Sequence, residues 1–193
     1  MKVGILALQG DYKLHQNALK KIDIQCIYVR TYKDLLKTDC LILPGGESTT
    51  ISLFLRKYDL VKSLKDYSKD NSLFGICAGS VIMSMNSNDK RVVNIKIINL
   101  ETKRNSWGRQ IDSFSDEIDL AIKTFNNKKY NGTFIRAPKF INIDKSCEIL
   151  ATYKDSPVLV KNHRHLVSSF HPELDNDLLL YKYFMKMVYG KKI

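Results

Sequence analysis

The residue best placed for nucleophilic chemistry is Cys77, in a glycine-rich turn between a buried strand and a helix. Leu73–Ser80 reads LFGICAGS, an apolar run followed by small residues and then by a helical pattern. In a nucleophile elbow the side chain projects from such a turn, and the next amide, here Ala78, faces a developing oxyanion. A helix start also favours the thiolate. A buried structural cysteine fits this segment equally well, so the interpretation requires a base.

The candidate base is His171, with Glu173 as the acid that orients it. The two follow the strand-like run Leu166–Phe170. Side chains two apart in an extended chain point to the same side, and Pro172 favours an extended backbone at His171. We therefore expect Glu173 to hold one imidazole nitrogen while the other faces Cys77. The remaining histidines lack such a setting: His15, His163 and His165.

A second glycine-rich turn follows the apolar run Cys40–Leu43. Gly45 and Gly46 free the backbone, and Ser48 or Thr49 is expected to cap the next helix. Exposed amides at the two glycines can bind a carboxylate or an oxyanion. An ordinary strand–turn–helix junction has the same pattern, and the GxxxxGK(S/T) spacing of a phosphate-binding loop is absent.

These turns must be positioned by strands and helices. In the first part of the chain, short apolar runs alternate with helical patterns. This alternation predicts a parallel sheet covered on both faces. The predicted strands are Lys2–Leu8, Ile24–Val29, Cys40–Leu43 and Leu73–Ile76. The predicted helices among them are Tyr12–Lys21 and a long one from Thr49 to about Tyr67.

Beyond the Cys77 turn, strand-like runs follow one another with little helix between them. They are Val92–Leu100, Ile118–Phe125, Thr133–Ile135, Ile149–Tyr153, Val158–Val160 and Leu166–Phe170. This pattern predicts an antiparallel extension joined to the parallel sheet. A final amphipathic helix is expected from about Asn176 to Val188. No repeat or linker interrupts the chain, so residues 1–193 are predicted to form a single domain.

Composition and charge narrow the class of protein. The chain has 193 residues, 44% hydrophobic and 26% charged, and no apolar run reaches the roughly 18 residues of a spanning helix, so no membrane partner is expected. The net charge is +11, but like charges form no block and arginines are not interleaved with aromatics, so no nucleic-acid partner is expected. The first residues indicate a buried strand rather than a signal peptide, which predicts a cytoplasmic location.

The other cysteines indicate neither a metal site nor a disulfide framework. The four cysteines are widely spaced, without a CxxC pair, and no secretory signal favours disulfides. Three of them lie in apolar runs and are expected to be small buried hydrophobic residues: Cys26, Cys40 and Cys147.

Taken together, three segments resemble the signatures of class I (triad) glutamine amidotransferases. They are Pro44–Thr49, Gly75–Gly79 and Phe170–Leu174. Further segments are similar to the glutaminase subunit of pyridoxal 5′-phosphate synthase, the PdxT family: Leu8–Asp11, Arg104–Gln110 (RNSWGRQ), Asp112–Phe114 and Phe134–Pro138 (FIRAP). The resemblance runs in order from Met1 to the final helix. Two residues depart from the family pattern, Trp107 in place of Phe and Ile76 in place of Thr, and we expect an altered fit rather than lost activity.

The resemblance implies a flavodoxin-like three-layer α/β/α fold with a mixed, mainly parallel sheet. It implies hydrolysis of L-glutamine to glutamate and ammonia, with Cys77 as nucleophile, His171 as acid and base, and Glu173 as the orienting residue. The implied glutamine-binding residues are Gly46, Glu47, Ser48, Arg104, Ile135 and Arg136, and the implied oxyanion hole uses amides at Gly46 and Ala78. The implied partner is a (β/α)8-barrel synthase subunit that uses the ammonia to make pyridoxal 5′-phosphate. No cofactor or metal is expected.

Two other interpretations stay open. The chain could be the glutaminase subunit of another amidotransferase, feeding imidazole-glycerol phosphate or an aromatic precursor, although the RNSWGRQ and FIRAP segments argue against this. It could also be a non-catalytic, basic interaction protein, although the intact set of Cys77, His171 and Glu173 argues against that. Fold alone cannot separate these interpretations, because function resides in the site.

Overall fold

A nine-stranded mixed sheet forms the centre of the fold. The structure is a computed structural model that describes residues 2–104, 106–107, 113–121 and 129–190. The strands of this sheet are β1 (Val3–Leu6), β2 (Cys26–Val29), β3 (Cys40–Leu43), β4 (Ser72–Ile76), β7 (Phe114–Leu120), β8 (Lys129–Phe134), β10 (Glu148–Tyr153), β11 (Ser156–Lys161) and β12 (Leu166–Ser168). A smaller sheet contains β5 (Ser84–Ser87), β6 (Ile98–Lys103) and β9 (Lys139–Ile141). The helices are α1 (Tyr12–Lys20), α2 (Tyr32–Leu35), α3 (Ser48–Lys57), α4 (Leu60–Tyr67), α5 (Ala78–Met83) and α6 (Leu179–Tyr189).

The large sheet is parallel in one half and antiparallel in the other. Its strand order is β2-β1-β3-β4-β12-β11-β10-β7-β8. The first five strands pair in parallel, and the remaining pairs are antiparallel. The predicted parallel sheet with an antiparallel extension is therefore confirmed. β4 and β12 are neighbours, so the chain segments that follow them emerge at the same edge of the sheet.

Helices cover both faces of the sheet, because its central strands are apolar on both sides. In β3, Ile42 packs into the cluster that contains the buried residues of α1 and α6. Its neighbours Leu41 and Leu43 pack instead with α3, α4 and α5. This alternation follows from the two-residue period of a strand. The three-layer α/β/α prediction is confirmed.

Several element boundaries differ from the predictions. The predicted helix from Thr49 to Tyr67 is two helices, because Asp59 adopts a left-handed conformation with φ +52° and ends the regular turn. The predicted strand Val92–Leu100 is largely irregular, and β6 begins only at Ile98. β7 ends at Leu120, and residues 122–125 of the predicted strand Ile118–Phe125 lie outside the described residues.

The small sheet and the last helix were also imperfectly predicted. β5 has too few apolar residues to be recognised as a strand, with the sequence SMNS. The last helix begins at Leu179 rather than at Asn176. Just before it, the carboxylate of Asp177 accepts a hydrogen bond from the Leu179 amide at 2.9 Å, a local turn that competes with helix.

The burial of the cysteines was predicted correctly only in part. Cys40 is fully buried, but Cys26 and Cys147 are half-buried, so that prediction was wrong for these two. Cys26 belongs to β2, which is an edge strand, and Cys147 precedes β10 in a turn. All four thiols are free. Among the described residues no helix is long and apolar enough to cross a membrane.

Candidate active site

Cys77 occupies a strained turn between β4 and α5. Its backbone has φ +47° and ψ −104°, a conformation that costs energy in a residue other than glycine. The Cys77 amide donates to the Ser168 carbonyl of β12 at 2.8 Å, which ties the turn to the neighbouring strand. A side chain at Gly79 would collide with the Leu43 carbonyl, so the close approach of α5 to β3 requires glycine there. The predicted nucleophile elbow is thus present.

The Cys77 thiol lies beside the segment that follows β8. The residue is only 7% exposed, and its Sγ contacts the Ile135 carbonyl at 3.8 Å. The thiol therefore faces a pocket rather than bulk solvent.

His171 and Glu173 form the predicted pair, although not in the predicted backbone. His171 Nδ1 lies 2.7 Å from Glu173 Oε1, and both residues are buried. β12 ends at Ser168, however, and Pro172–Leu174 form a 3₁₀ turn, so the expected extended chain was wrong. This 3₁₀ turn places the Glu173 carboxylate within hydrogen-bond distance of the His171 imidazole. The His171 amide donates to the Thr133 carbonyl at 2.9 Å and anchors the segment to β8.

The surroundings of this pair favour an imidazolium beside a carboxylate. Burial lowers the pKa of His171, but the interactions with Cys77 and Glu173 outweigh burial and raise it. Burial raises the pKa of Glu173, but the neighbouring His15 and His171 outweigh that effect and lower it. A protonated His171 next to Cys77 stabilises the thiolate that nucleophilic attack needs.

The turn at Gly45 and Gly46 packs directly against the imidazole. A Cβ atom on Gly45 would lie 2.5 Å from His171 Cε1, so this approach is open only to glycine. The side-chain oxygen of Gln9 accepts a hydrogen bond from the Glu47 amide at 2.7 Å and holds the turn from the β1 side.

The predicted helix cap after this turn was wrong. Glu47 occupies the N-cap position of α3, and no side chain caps the helix. Ser48 is already the first helical residue, and the Thr49 hydroxyl donates to Glu47 Oε1 at 3.2 Å instead.

A single pocket brings the predicted site residues together. All of them line it except Glu173, which supports His171 from behind: Gly46, Glu47, Ser48, Cys77, Ala78, Arg104, Ile135, Arg136 and His171. The pocket wall also contains three residues that were not predicted, namely Asp11, Val81 and Pro138. Among the described residues no group of three or more His, Cys, Asp or Glu side chains could hold a metal ion.

Two arginines, Arg104 and Arg136, line the pocket. Arg104 donates to Glu47 Oε1 at 2.6 Å and also pairs with Asp89. Asp89 in turn pairs with Arg91 at 2.7 Å, and hydrogen bonds from Arg91 together with the charge of Arg104 lower the pKa of the Asp89 carboxyl. Arg136 is exposed and has φ +46°, a strained backbone conformation of the kind that is common at binding sites. Two arginine side chains in the lining of one pocket suit a carboxylate ligand.

Trp107 and Ile76, the two departures from the family pattern, are both accommodated by the fold. Trp107 Nε1 donates to the Pro138 carbonyl at 3.0 Å, and its ring packs on Tyr153 with the centroids 5.4 Å apart. Ile76 is fully buried in the core. Five residues of the two family-like segments here lie outside the described residues: Asn105, Gly108, Arg109, Gln110 and Asp112.

Sequence reasoning missed the residues that hold the site from outside its motifs. Gln9 lies in a segment noticed only for its family resemblance, and Asp89 lies in a polar stretch without any local signal. His15 was dismissed as lacking a suitable setting, yet its Nε2 lies 3.8 Å from Glu173 Oε1. His165 is a structural histidine, since it is buried and its Nδ1 accepts the Leu73 amide at 3.2 Å.

Comparison with known proteins agrees with this geometry. Residues 5–190 match the model of the SNO glutamine amidotransferase family. The pyridoxal 5′-phosphate synthase subunit PdxT of Francisella tularensis subsp. novicida is 41% identical over 96% of this chain and 98% of its own length. The protein of the same name from Thermosipho africanus is 40% identical over 97% of this chain and 99% of its own. A crystal structure of a glutamine amidotransferase superposes with a TM-score of 0.89 at 36% identity, covering 96% of this chain and 98% of that one.

Proposed function

This chain belongs to the SNO glutamine amidotransferase family, and we propose that it hydrolyses L-glutamine as the glutaminase subunit of a pyridoxal 5′-phosphate synthase. The products are glutamate and ammonia. The observation that carries the proposal is the convergence of an elbow cysteine, a His–Glu pair and two arginines on one pocket. A thiol with an oriented base suits acyl transfer, and the arginines suit the carboxylate of a free amino acid.

The first step is attack of the Cys77 thiolate on the side-chain amide carbon of glutamine. A carbon–sulfur bond forms, and the carbonyl electron pair moves to oxygen. We assign this oxyanion to the backbone amides of Gly46 and Ala78. Ala78 is the first residue of α5, so its amide has no acceptor within the helix and is available to a ligand.

The second step releases ammonia and then glutamate. His171 gives its proton to the departing nitrogen as the carbon–nitrogen bond breaks, leaving a thioester on Cys77. His171 then takes a proton from water as the water oxygen attacks the thioester carbon. The carbon–sulfur bond breaks, which frees glutamate and returns the Cys77 thiolate. Glu173 keeps the imidazole oriented through the 2.7 Å contact with Nδ1 in both half-reactions.

Arg104 is assigned to the glutamine carboxylate, with Glu47, Ser48, Ile135 and Arg136 completing the binding pocket. The side chain of Arg104 is only 16% exposed and is held by two carboxylates, so its position is fixed before glutamine arrives. A fixed guanidinium loses little conformational entropy on binding.

Replacing Arg104 with glutamine is expected to raise KM for L-glutamine by about tenfold to a hundredfold and to lower kcat far less. The lost contact is a charge-assisted hydrogen bond remote from the reacting carbon. Steady-state glutamate release over a range of glutamine concentrations measures both constants. Arg91→Gln is the matched control, since Arg91 also pairs with Asp89 but lies outside this pocket. Equal effects of the two substitutions would contradict the assignment.

The partner that we propose is the barrel-shaped synthase subunit. Ammonia released into water becomes ammonium and loses its nucleophilicity, so a subunit that only makes ammonia needs a protected route to a consumer. The synthase subunit uses that ammonia to build pyridoxal 5′-phosphate.

The test is glutamate release by the purified chain with and without the synthase subunit, together with sizing of the mixture. We expect a complex and a higher rate in the mixture. Release that the synthase does not change, with no complex, would favour the glutaminase of another amidotransferase. A folded chain without activity in either condition would favour the non-catalytic interaction protein.

A further inference from the structure

We propose that His15 is a positioning residue of the triad, a buried imidazole that links Tyr181 to Glu173 and holds the carboxylate against His171. The inference rests on the proposed function, since it concerns the same site. With His15 of α1 and Tyr181 of α6, the set of interacting groups continues beyond Cys77, His171 and Glu173.

The geometry places His15 between two buried polar groups. His15 lies in α1 and is fully buried, and its Nδ1 lies 2.7 Å from the Tyr181 hydroxyl of α6. Its Nε2 lies 3.8 Å from Glu173 Oε1. Within the described residues, His15 Nε2 and Glu173 Oε2 are both buried without a hydrogen-bond partner. Buried polar atoms are normally paired, so an unpaired imidazole nitrogen 3.8 Å from Glu173 Oε1, on a carboxylate whose other oxygen is also unpaired, indicates a functional contact.

The tautomer of His15 follows from Tyr181. Burial raises the pKa of Tyr181 well above its usual value, so the phenol keeps its proton and can donate it to His15 Nδ1. Burial also lowers the pKa of His15, against the opposing charge of Glu173, so the imidazole is neutral. A neutral imidazole that accepts at Nδ1 carries its proton at Nε2, the nitrogen nearest to Glu173.

Other titratable groups also lie near this contact. His171 acts against a positive charge on His15, whereas Asp11 favours one. The phenol of Tyr130 is a further buried group whose pKa responds to Glu173.

The consequence reaches Cys77 through two contacts. Without His15, the buried carboxylate of Glu173 is less stable as an anion and less firmly oriented. It then supports the His171 imidazolium less well, and the Cys77 thiolate loses part of its counter-charge. Thiolate formation therefore needs a higher pH, whereas glutamine binding, which occurs on the other side of Cys77, changes little.

The test measures the alkylation rate of Cys77 by iodoacetamide against pH, in a chain whose half-buried Cys26 and Cys147 are serine. In His15→Phe, which keeps a ring but removes both nitrogens, we expect the pH midpoint to rise by about one unit. Tyr181→Phe removes only the hydroxyl and is expected to give a smaller rise. His15→Gln, whose amide can donate towards Glu173, is expected to restore most of the wild-type midpoint. In glutamate release, His15→Phe lowers kcat by about tenfold or more, with KM within about twofold.

Wild-type midpoints in both His15→Phe and Tyr181→Phe, with both proteins folded, would overturn the proposal and leave His15 a packing residue. If His15→Phe does not fold, Tyr181→Phe and His15→Gln decide, and a wild-type midpoint in Tyr181→Phe overturns the proposal. The alkylation readout needs no glutamine. A midpoint that depends on His15 in a chain that releases no glutamate would therefore sustain this inference and refute the proposed function.

Discussion

Cys77→Ala is expected to lose glutamate release, with kcat/KM lower by at least about 10³-fold. Alanine removes the only atom of this residue that can form the thioester. The imidazole of His171 and the oxyanion amides remain, but they have no nucleophile to activate. Because the alanine side chain is smaller and the elbow backbone is held by the Ser168 carbonyl, the fold is expected to persist.

The measurement is glutamate formation by the wild-type chain and the variant, each with the synthase subunit present. Cys147→Ala is the control, since it removes another free thiol that lies in a turn away from the pocket. The control should match the wild type. Hydrolysis by Cys77→Ala at more than about a tenth of the wild-type rate would mean that Cys77 is not the nucleophile.

Gly45→Ala is expected to lower kcat/KM by about 10²-fold, because a single methyl group would displace the His171 imidazole that we propose to be the acid and base. The new Cβ would lie 2.5 Å from His171 Cε1 and 3.1 Å from Nδ1. His171 must then move, which lengthens its contact with Glu173 or turns it away from Cys77. The contact at Gly45 is with the functional end of a side chain, so activity suffers more than stability.

Activity assays and thermal unfolding of the same preparations separate these two effects. Gly190→Ala is the matched control, since this glycine has φ +65° after α6 and no atom within 4 Å of an added Cβ. That variant should lose about 1 kcal/mol of stability from backbone strain and keep its activity. Gly45→Ala with activity within twofold of the wild type would show that the imidazole does not depend on this contact.

The parts of the fold that followed from the sequence are those that local patterns control. The run Leu73–Ile76 is apolar on both faces, and the small residues after it admit only a tight turn, so both β4 and the elbow were predicted correctly. The relation of His171 to Glu173 was also predicted, although a 3₁₀ turn forms it rather than an extended chain. Two residues so close in sequence can meet in more than one backbone conformation.

The errors arise where a long-range contact or a single backbone angle outweighs the pattern. Apolar periodicity continues through Asp59, yet that residue takes a left-handed conformation and divides one predicted helix into α3 and α4. Cys26 has apolar neighbours in sequence but belongs to an edge strand, which no further strand covers on one side, and it is only half-buried. Whether a strand lies at the edge or in the centre depends on the strand order of the assembled sheet, which the local sequence does not give.

The sequence by itself therefore determined the candidate nucleophile, its candidate base and orienting acid, and the two glycine-rich turns, because each is encoded within a few neighbouring residues. Only the tertiary structure decided which groups surround them. Asp89 reaches Arg104 from a polar loop, and His15 reaches Glu173 from a helix at the opposite end of the chain. The physical reason is that hydrogen bonds and buried charges act over a few ångströms in space, and no local pattern reports which distant residues the fold brings within that distance.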